Sequence, residues 1–508
     1  QSKEKQKMFR RLSTLRTSKM RSMSTLLQSK ALINGSWVEA CNKDTFAVCN
    51  PANGEIVGEV PNMGVQDAQL AINAAKNAYD SKEWRSLTAK DRSNLLKKWH
   101  KLIETNTQEI AEIMTAESGK PINESKGEVA YGNSFIEWFA EEARRIYGEI
   151  VPSGTANREV IVVKQPIGVA ALVTPWNFPL AMITRKAGAA LAAGCTLVVK
   201  PAEDTPFTAL ALAKLAEEAG IPKGVINVVT TNKAAPIGEL FCKSPDVRGI
   251  SFTGSTQVGK LLFRESAQGI KRVCLELGGN APFIVFDSAN VEKAVDGAMA
   301  SKFRNCGQTC VSANRFFVQE GVYDKFLSMM KERVEALKIG DGSCCDVQIG
   351  PLINHMQFDK VSGFVEDARS KNANIVMGGE GLPDLGPLFY APTIVTDVPE
   401  TAQLYTEEVF GPVVTIIKFK DEEEAVRRAN DTQRGLAGYF YSENLQQVFR
   451  VAKRLEVGMV GVNEGIISTP EAPFGGVKES GVGREGSHHG IDDFVDIKYI
   501  CMGNLKYY

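Results

Sequence analysis

Ten cysteines are scattered along this 508-residue chain, and one of them, Cys310, ends the run Phe303-Arg304-Asn305-Cys306-Gly307-Gln308-Thr309-Cys310. A thiol becomes a strong nucleophile only as the thiolate, and an unperturbed cysteine of pKa about 8.5 is only a few per cent ionised near neutrality. A few dozen residues upstream, Leu275-Glu276-Leu277-Gly278-Gly279 offers a carboxylate that can activate a water molecule. Asn177, in Thr174-Pro175-Trp176-Asn177-Phe178-Pro179, offers an amide flanked by two prolines, the kind of fixed donor that a developing oxyanion needs. A single cysteine is most often a buried, inert thiol. The combination of thiol, carboxylate and amide is what points to covalent chemistry at a carbonyl carbon.

Two further runs suit a dinucleotide. Phe252-Thr253-Gly254-Ser255-Thr256-Gln257-Val258-Gly259 falls where a strand hands over to a helix, so that Gly254 permits close backbone approach and the helix start favours a phosphate. Its glycine spacing is not GxGxxG. Lys200-Pro201-Ala202-Glu203 follows another strand at its carboxyl end, where ligands bind in open α/β sheets. Glu203 can accept from free ribose hydroxyls and would repel a 2′-phosphate, which argues for NAD over NADP.

These residues need a scaffold, and the chain between 166 and 276 alternates short β-branched runs with helical periodicity, as a parallel sheet with crossover helices requires. Strands are expected over Gly168 to Val173, Thr196 to Val199, Val225 to Val229, Gly249 to Phe252 and Arg272 to Leu275, and helices over Pro179 to Ala193, Thr205 to Ala219 and Ser255 to Ala267. The pattern restarts after Gly279, with strands at Pro282 to Phe286 and Arg315 to Val318 and helices from Val291 and over Tyr323 to Leu337, so a second α/β unit is expected. Residues 67 to 118 read as largely helical, with Asp67 as an N-cap. The fold class is α/β: a doubly wound parallel-sheet nucleotide-binding domain, a second α/β catalytic domain, and strand-like pieces over 143 to 163 and Asp493 to Cys501 that belong to neither sheet.

Taken in chain order, these motifs resemble the aldehyde dehydrogenase superfamily, from about residue 32 to 505, and within it the succinate-semialdehyde dehydrogenase subgroup. The resemblance implies Cys310 as nucleophile, Asn177 with the Cys310 backbone N–H as oxyanion donors, and Glu276 as the base that hydrolyses a thioester to a free acid. It implies NAD as cofactor, held by Trp176, Lys200, Glu203, Gly254, Ser255, and by Glu408 and Phe410 of Glu408-Val409-Phe410-Gly411-Pro412. Arg185, Arg304 and Ser468 match the positions that hold the distal carboxylate of succinate semialdehyde; glutarate semialdehyde is the nearest competitor. The expected divisions are 1–30 leader, 31–142 with 164–276 NAD-binding, 277–478 catalytic, and 143–163 with 479–508 an oligomerisation arm of a homodimer or homotetramer. Several members carry a second cysteine two residues after the nucleophile; Ser312 stands there, so that redox switch is expected to be absent. Pairing of Cys306 with Cys310 stays open, an unpaired Cys306 being favoured. A catalytically silent relative is the alternative of another class, and the retained Cys310, Glu276 and Asn177 argue against it.

The composition narrows the partners. A net charge of −1 provides no field for nucleic acid or an acidic membrane, the scattered cysteines and four histidines have no metal-ligand spacing, and no uninterrupted apolar run approaches the roughly 18 residues of a membrane span, so no metal and no membrane insertion are expected. The first thirty residues hold nine Lys or Arg and one acid, Glu4, which reads as a mitochondrial transit peptide beginning at Met8 and a matrix location.

Overall fold

The structure, a computed structural model, describes residues 25–506; the expected transit peptide lies outside the described residues as far as residue 24. Five parallel strands form the first sheet in the spatial order Arg272–Glu276, Val247–Thr253, Val169–Val173, Thr196–Lys200, Ile226–Val228. The chain winds outward from Val169–Val173 in one direction, then returns to continue on its other side. That reversal opens a crevice at the carboxyl ends of the central strands. A short antiparallel edge, Gly481–Val482, pairs with Arg272–Glu276, so part of the segment expected in the arm instead completes this sheet.

The strands are apolar on both faces because helices cover both: Ala181–Ala193, Pro206–Glu218 and the amino-terminal helices Ala89–Thr105 and Ile122–Glu142 on one, Val65–Asp80 and Ala234–Lys243 on the other. Expected boundaries shift by one or two residues, and two of these shifts are instructive. The helix expected from Pro179 starts at Ala181, because the Glu128 carboxylate accepts from the N–H of Leu180 and of Ala181 and leaves 174–180 as a turn. Asp67 is not an N-cap: the helix starts at Val65, and the carboxylate reaches back to the N–H of Gly64 and across to that of Cys41.

Seven strands form the second sheet, in the order Asn374–Met377, Thr393–Thr396, Val413–Phe419, Ala313–Gln319, Ala281–Val285, Ala437–Tyr441, Met459–Val462, all parallel but the first. The arm is a three-stranded antiparallel sheet, Val495–Met502, Glu159–Pro166, Glu149–Val151. It leaves Ile150, Ile497 and Tyr499 exposed, a large apolar surface for a thin sheet. No helix among the described residues is long and apolar enough to cross a membrane.

Arg315 ties the second sheet to its helices. Fully buried, it donates to the carbonyl of Asn280 and to those of Arg428 and Ala429, at the last turn of the helix Glu422–Asn430. Burial pulls its pKa down to about 10, still charged at neutral pH. Beside it Asn314 donates to Asn280 Oδ1 and the Glu407 carbonyl and accepts from the Val409 N–H, which fixes the backbone on either side of Glu408. Arg315→Met strands these carbonyls without donors and should cost about 3 kcal/mol, read as a lowered denaturant midpoint at unchanged slope; an unshifted midpoint would mean that water replaces the guanidinium.

Candidate active site

The carboxyl ends of the first sheet face the loops of the second, and the thiol lies between them. Val169–Val173 delivers the turn carrying Trp176 and Asn177, Arg272–Glu276 ends on the carboxylate itself, and the helix Val291–Phe303 runs into the 304–310 loop. In that loop Asn305, Cys306 and Gly307 all have positive φ, of 52°, 56° and 75°. Two consecutive non-glycine residues in the left-handed region are strained and need surrounding contacts to hold them.

Cys310 is partly exposed at the bottom of this arrangement, and burial of its sulfur pushes the thiol up to about 12; Arg185 and Arg304 pull it back, Glu408 and Glu276 push it further. Asn177 is buried, with one amide hydrogen given to the Gln308 carbonyl at 3.0 Å. Its other N–H is left for an incoming oxygen, and its Oδ1 has no partner. Glu276 is 2% exposed and neither of its oxygens is hydrogen-bonded. Burial, then the nearby Glu485, holds its pKa well above the usual carboxylate range, while Arg185, Lys186 and Arg484 act in the opposite direction. A Cβ on Gly475 would come within 2.9 Å of Glu276 Oε1, so the glycine makes room for the carboxylate.

The two arginines expected to hold a distal carboxylate are placed differently. Arg185 is buried and committed: its Nη2 lies 2.5 Å from Glu485 Oε2 and its guanidinium sits 3.8 Å from the centre of the Phe474 ring. Burial opposes its charge, but Glu485, together with Tyr131, Glu276 and Cys310, outweighs this and raises its pKa. Arg304 is half-buried, 5.1 Å from the Phe178 ring centre, and forms no ion pair among the described residues. Ser468 is half-buried in the segment after Met459–Val462, and its hydroxyl is bonded to neither arginine. Cys306 is a free, buried thiol with its pKa raised by burial, and Cys310 is likewise free.

The remaining predicted residues line the crevice of the first sheet. Ser255 caps the helix Thr256–Ser266, accepting from the Val258 N–H, and leaves a helix start free to face an anion. Thr256 Oγ1 is buried without a partner. Lys200 is buried, and its ammonium lies 3.7 Å from the half-exposed carboxylate of Glu203. Glu408 Oε1 accepts from the Gly279 N–H at 2.9 Å, and Phe410 meets Trp176 edge-on with ring centres 5.5 Å apart. An orphaned hydroxyl at a helix start, an acid beside a lysine and a second acid near the thiol fit the phosphates and two riboses of a nicotinamide dinucleotide.

Sequence reasoning passed over Lys186 and Glu485, which pair beside Glu276, with the Lys186 ammonium also 2.6 Å from Thr253 Oγ1, and over Lys120, Glu124 and Glu128. The i, i+4 spacing of Glu124 and Glu128 was the available signal, but it reads equally well as a solvated helix face.

Comparison with known proteins fits this geometry. Residues 37–500 match the model of the aldehyde dehydrogenase family. The chain is 54% identical over 480 residues to the succinate-semialdehyde dehydrogenase [NADP(+)] GabD of Escherichia coli strain K12, covering 94% of this chain and 99% of that one. It is also 54% identical, with the same coverage, to a glutarate-semialdehyde dehydrogenase of Pseudomonas aeruginosa, and 53% identical over 483 residues (94% and 91%) to the mitochondrial succinate-semialdehyde dehydrogenase of Mus musculus. A crystal structure of succinate-semialdehyde dehydrogenase from Burkholderia pseudomallei superposes with a TM-score of 0.92 at 53% identity, over 94% of this chain and 98% of that one. The chain belongs to the aldehyde dehydrogenase family: it has the fold of an oxidoreductase that works on aldehydes with a nicotinamide cofactor.

The thiol's environment generates a pH dependence. Alkylation consumes thiolate, and a pKa raised by burial keeps that fraction small, so carbamidomethylation of Cys310 in cofactor-free protein should accelerate about tenfold per pH unit from pH 7 to 9. Peptide mass spectrometry after timed iodoacetamide quenches reads the rate. A plateau below pH 8 would show that Arg185 and Arg304 outweigh burial.

Proposed function

We propose that this protein oxidises succinate semialdehyde to succinate with NAD, through a thiohemiacetal and a thioester on Cys310. The observation that carries the substrate is Arg304, a cation without an ion pair among the described residues on the six-residue approach to the nucleophile, where an aldehyde's far carboxylate can complete its charge. The relatives named for succinate semialdehyde support it. Arg185, already neutralised by Glu485, contributes a positive wall more than an anion receptor. Glutarate semialdehyde is the competing substrate, since one methylene is worth only about 1–3 kcal/mol of discrimination and a relative of equal identity carries that name.

In this reading the Cys310 thiolate adds to the aldehyde carbon and the carbonyl π pair moves to oxygen. Asn177 meets that oxyanion with its free N–H, and the Cys310 backbone N–H is the second donor. The bound nicotinamide supplies the acceptor for the hydride that this carbon releases. Glu276 then takes a proton from water, whose hydroxide expels Cys310 from the thioester as the acid forms. Because burial raises its pKa, hydrolysis gains rate as pH rises and Glu276 ionises, and the flanking Arg185 and Lys186 favour that anionic form.

Trp176, Lys200, Glu203, Gly254, Ser255, Glu408 and Phe410 hold the cofactor in this reading. Glu203, beside Lys200, favours a free ribose diol over a 2′-phosphate and so NAD, although the Escherichia coli relative is named for NADP(+). The proposed divisions keep 31–142 with 164–276 as the NAD-binding domain and 277–478 as the catalytic domain, with the strand Gly481–Val482 assigned to the first sheet. The exposed apolar arm supports a dimer or tetramer, and the basic first thirty residues with the mouse relative's name support a mitochondrial matrix location.

The test is NADH absorbance with succinate semialdehyde, glutarate semialdehyde, propanal and NADP as comparators. Cys310→Ala should abolish turnover, and Glu276→Gln should keep a first-turnover burst while losing the steady state. Arg304→Leu should lower the kcat/KM ratio of succinate semialdehyde to propanal by about tenfold or more, the worth of one charge-assisted hydrogen bond. Turnover confined to propanal would remove the carboxylate reading, and faster turnover of glutarate semialdehyde would replace the substrate.

A further inference from the structure

The reading of Asn177 as oxyanion donor leaves open what holds the amide in place. Its side chain has one intramolecular bond, to Gln308, and its unpaired Oδ1 provides no second anchor. The backbone carbonyl of Asn177, in contrast, takes two buried donors: the Lys120 ammonium at 2.8 Å and Asn305 Nδ2 at 2.9 Å. Both come from segments that do other work nearby. Lys120 pairs with Glu128, and its ammonium sits 4.1 Å from the centre of the Phe178 ring. Asn305 also donates to the Gln308 carbonyl, at 3.3 Å, and accepts from Gln308 Nε2, while its own N–H is held by Glu124 at 2.7 Å. Glu124 and Glu128 lie one turn apart on the helix Ile122–Glu142, and Glu128 fixes the N–H groups of Leu180 and Ala181.

One helix start therefore grips both active-site loops, the 174–180 turn through Lys120 and Glu128 and the 304–310 loop through Glu124, and Asn305 joins the loops to each other. We propose that Lys120 and Asn305 are positioning residues that aim the Asn177 amide at the oxyanion. This rests on the oxyanion reading of Asn177. Neither touches the substrate: a cation and an amide fix the Asn177 peptide plane, and thereby the direction in which its free N–H points as the C–S bond forms and the carbonyl π pair moves to oxygen. A donor misaimed by a fraction of an ångström loses much of its effect on that charge.

The experiment is a double-mutant cycle on the first-turnover NADH burst with succinate semialdehyde and NAD. Lys120→Met is made together with Glu128→Gln, so that no carboxylate is left buried without its cation and the glutamine oxygen still accepts from Leu180 and Ala181. Asn305→Ala, which removes no charge, is the second variant should the first not fold. Each should slow the burst about tenfold or more, and neither should slow it further once Asn177→Ala is present. Carbamidomethylation of Cys310, which forms no oxyanion, should stay within about twofold of the parent, because the thiol itself has not moved. Effects that multiply with Asn177→Ala, or alkylation that falls in step with the burst, would overturn the proposal in favour of a general structural role. A burst unaffected by Asn177→Ala alone would instead overturn the oxyanion reading beneath it.

Discussion

Glu485 lies between the cations of Arg185 and Lys186, all three out of water, and the environment of the reacting groups follows from that triad. Two buried cations facing one carboxylate leave an excess of positive charge beside Glu276 and Cys310. It opposes, without overcoming, the burial that raises the pKa of both the carboxylate and the thiol. Removing Glu485 would leave two uncompensated buried cations, and removing either cation would take away one of the groups that hold the raised Glu276 pKa down; breaking one member of such a set is more damaging than replacing the whole. The triad also couples the helix Ala181–Ala193 to the turn after the edge strand Gly481–Val482, so electrostatics and tertiary closure depend on the same contact.

The rest of the site is arranged around the meeting of two sheets. The first contributes strand ends, which are rigid and present Glu276 and the turn of Asn177 in register; the second contributes loops that need external support. The left-handed run Asn305-Cys306-Gly307 would not persist in isolation, and Glu124, with the bonds between Asn305 and Gln308, supplies that support. On the cofactor side, Glu408 is fixed from both directions, by the Gly279 N–H on its carboxylate and by Asn314 on the neighbouring backbone. Rigid strand ends and braced loops together give the placement that covalent catalysis demands.

In the proposed reading, substrate selection comes down to which charge remains unspent. Arg185 and Arg304 are equivalent in sequence terms, both guanidiniums a short distance from a reacting residue. In the folded protein one is paired with Glu485 and stacked on Phe474, and the other lies by the face of Phe178 and forms no ion pair among the described residues. On that reading a carboxylate binds where a cation lacks an ion pair, and the position of Glu485 decides which arginine that is.

The sequence alone determined which residues are candidates for chemistry that depends on residue type and local spacing. Cys310, Glu276 and Asn177 announce themselves through their flanking glycines and prolines, the strand-to-helix turn at Gly254-Ser255 through its small residues, and the parallel strands through unbroken β-branched runs, since these signals are written within a few consecutive positions. Tertiary structure decided everything that depends on which groups lose water together. Glu485 meets Arg185 and Lys186 across three hundred residues, Lys120 reaches the carbonyl of Asn177, and Glu124 and Glu128, whose spacing suits a solvated face, are turned inward against two loops. Helical periodicity says which residues share a face, but not what the face is packed against. Whether a charge is solvated, paired or left free is a property of the long-range contact, and no local pattern records it.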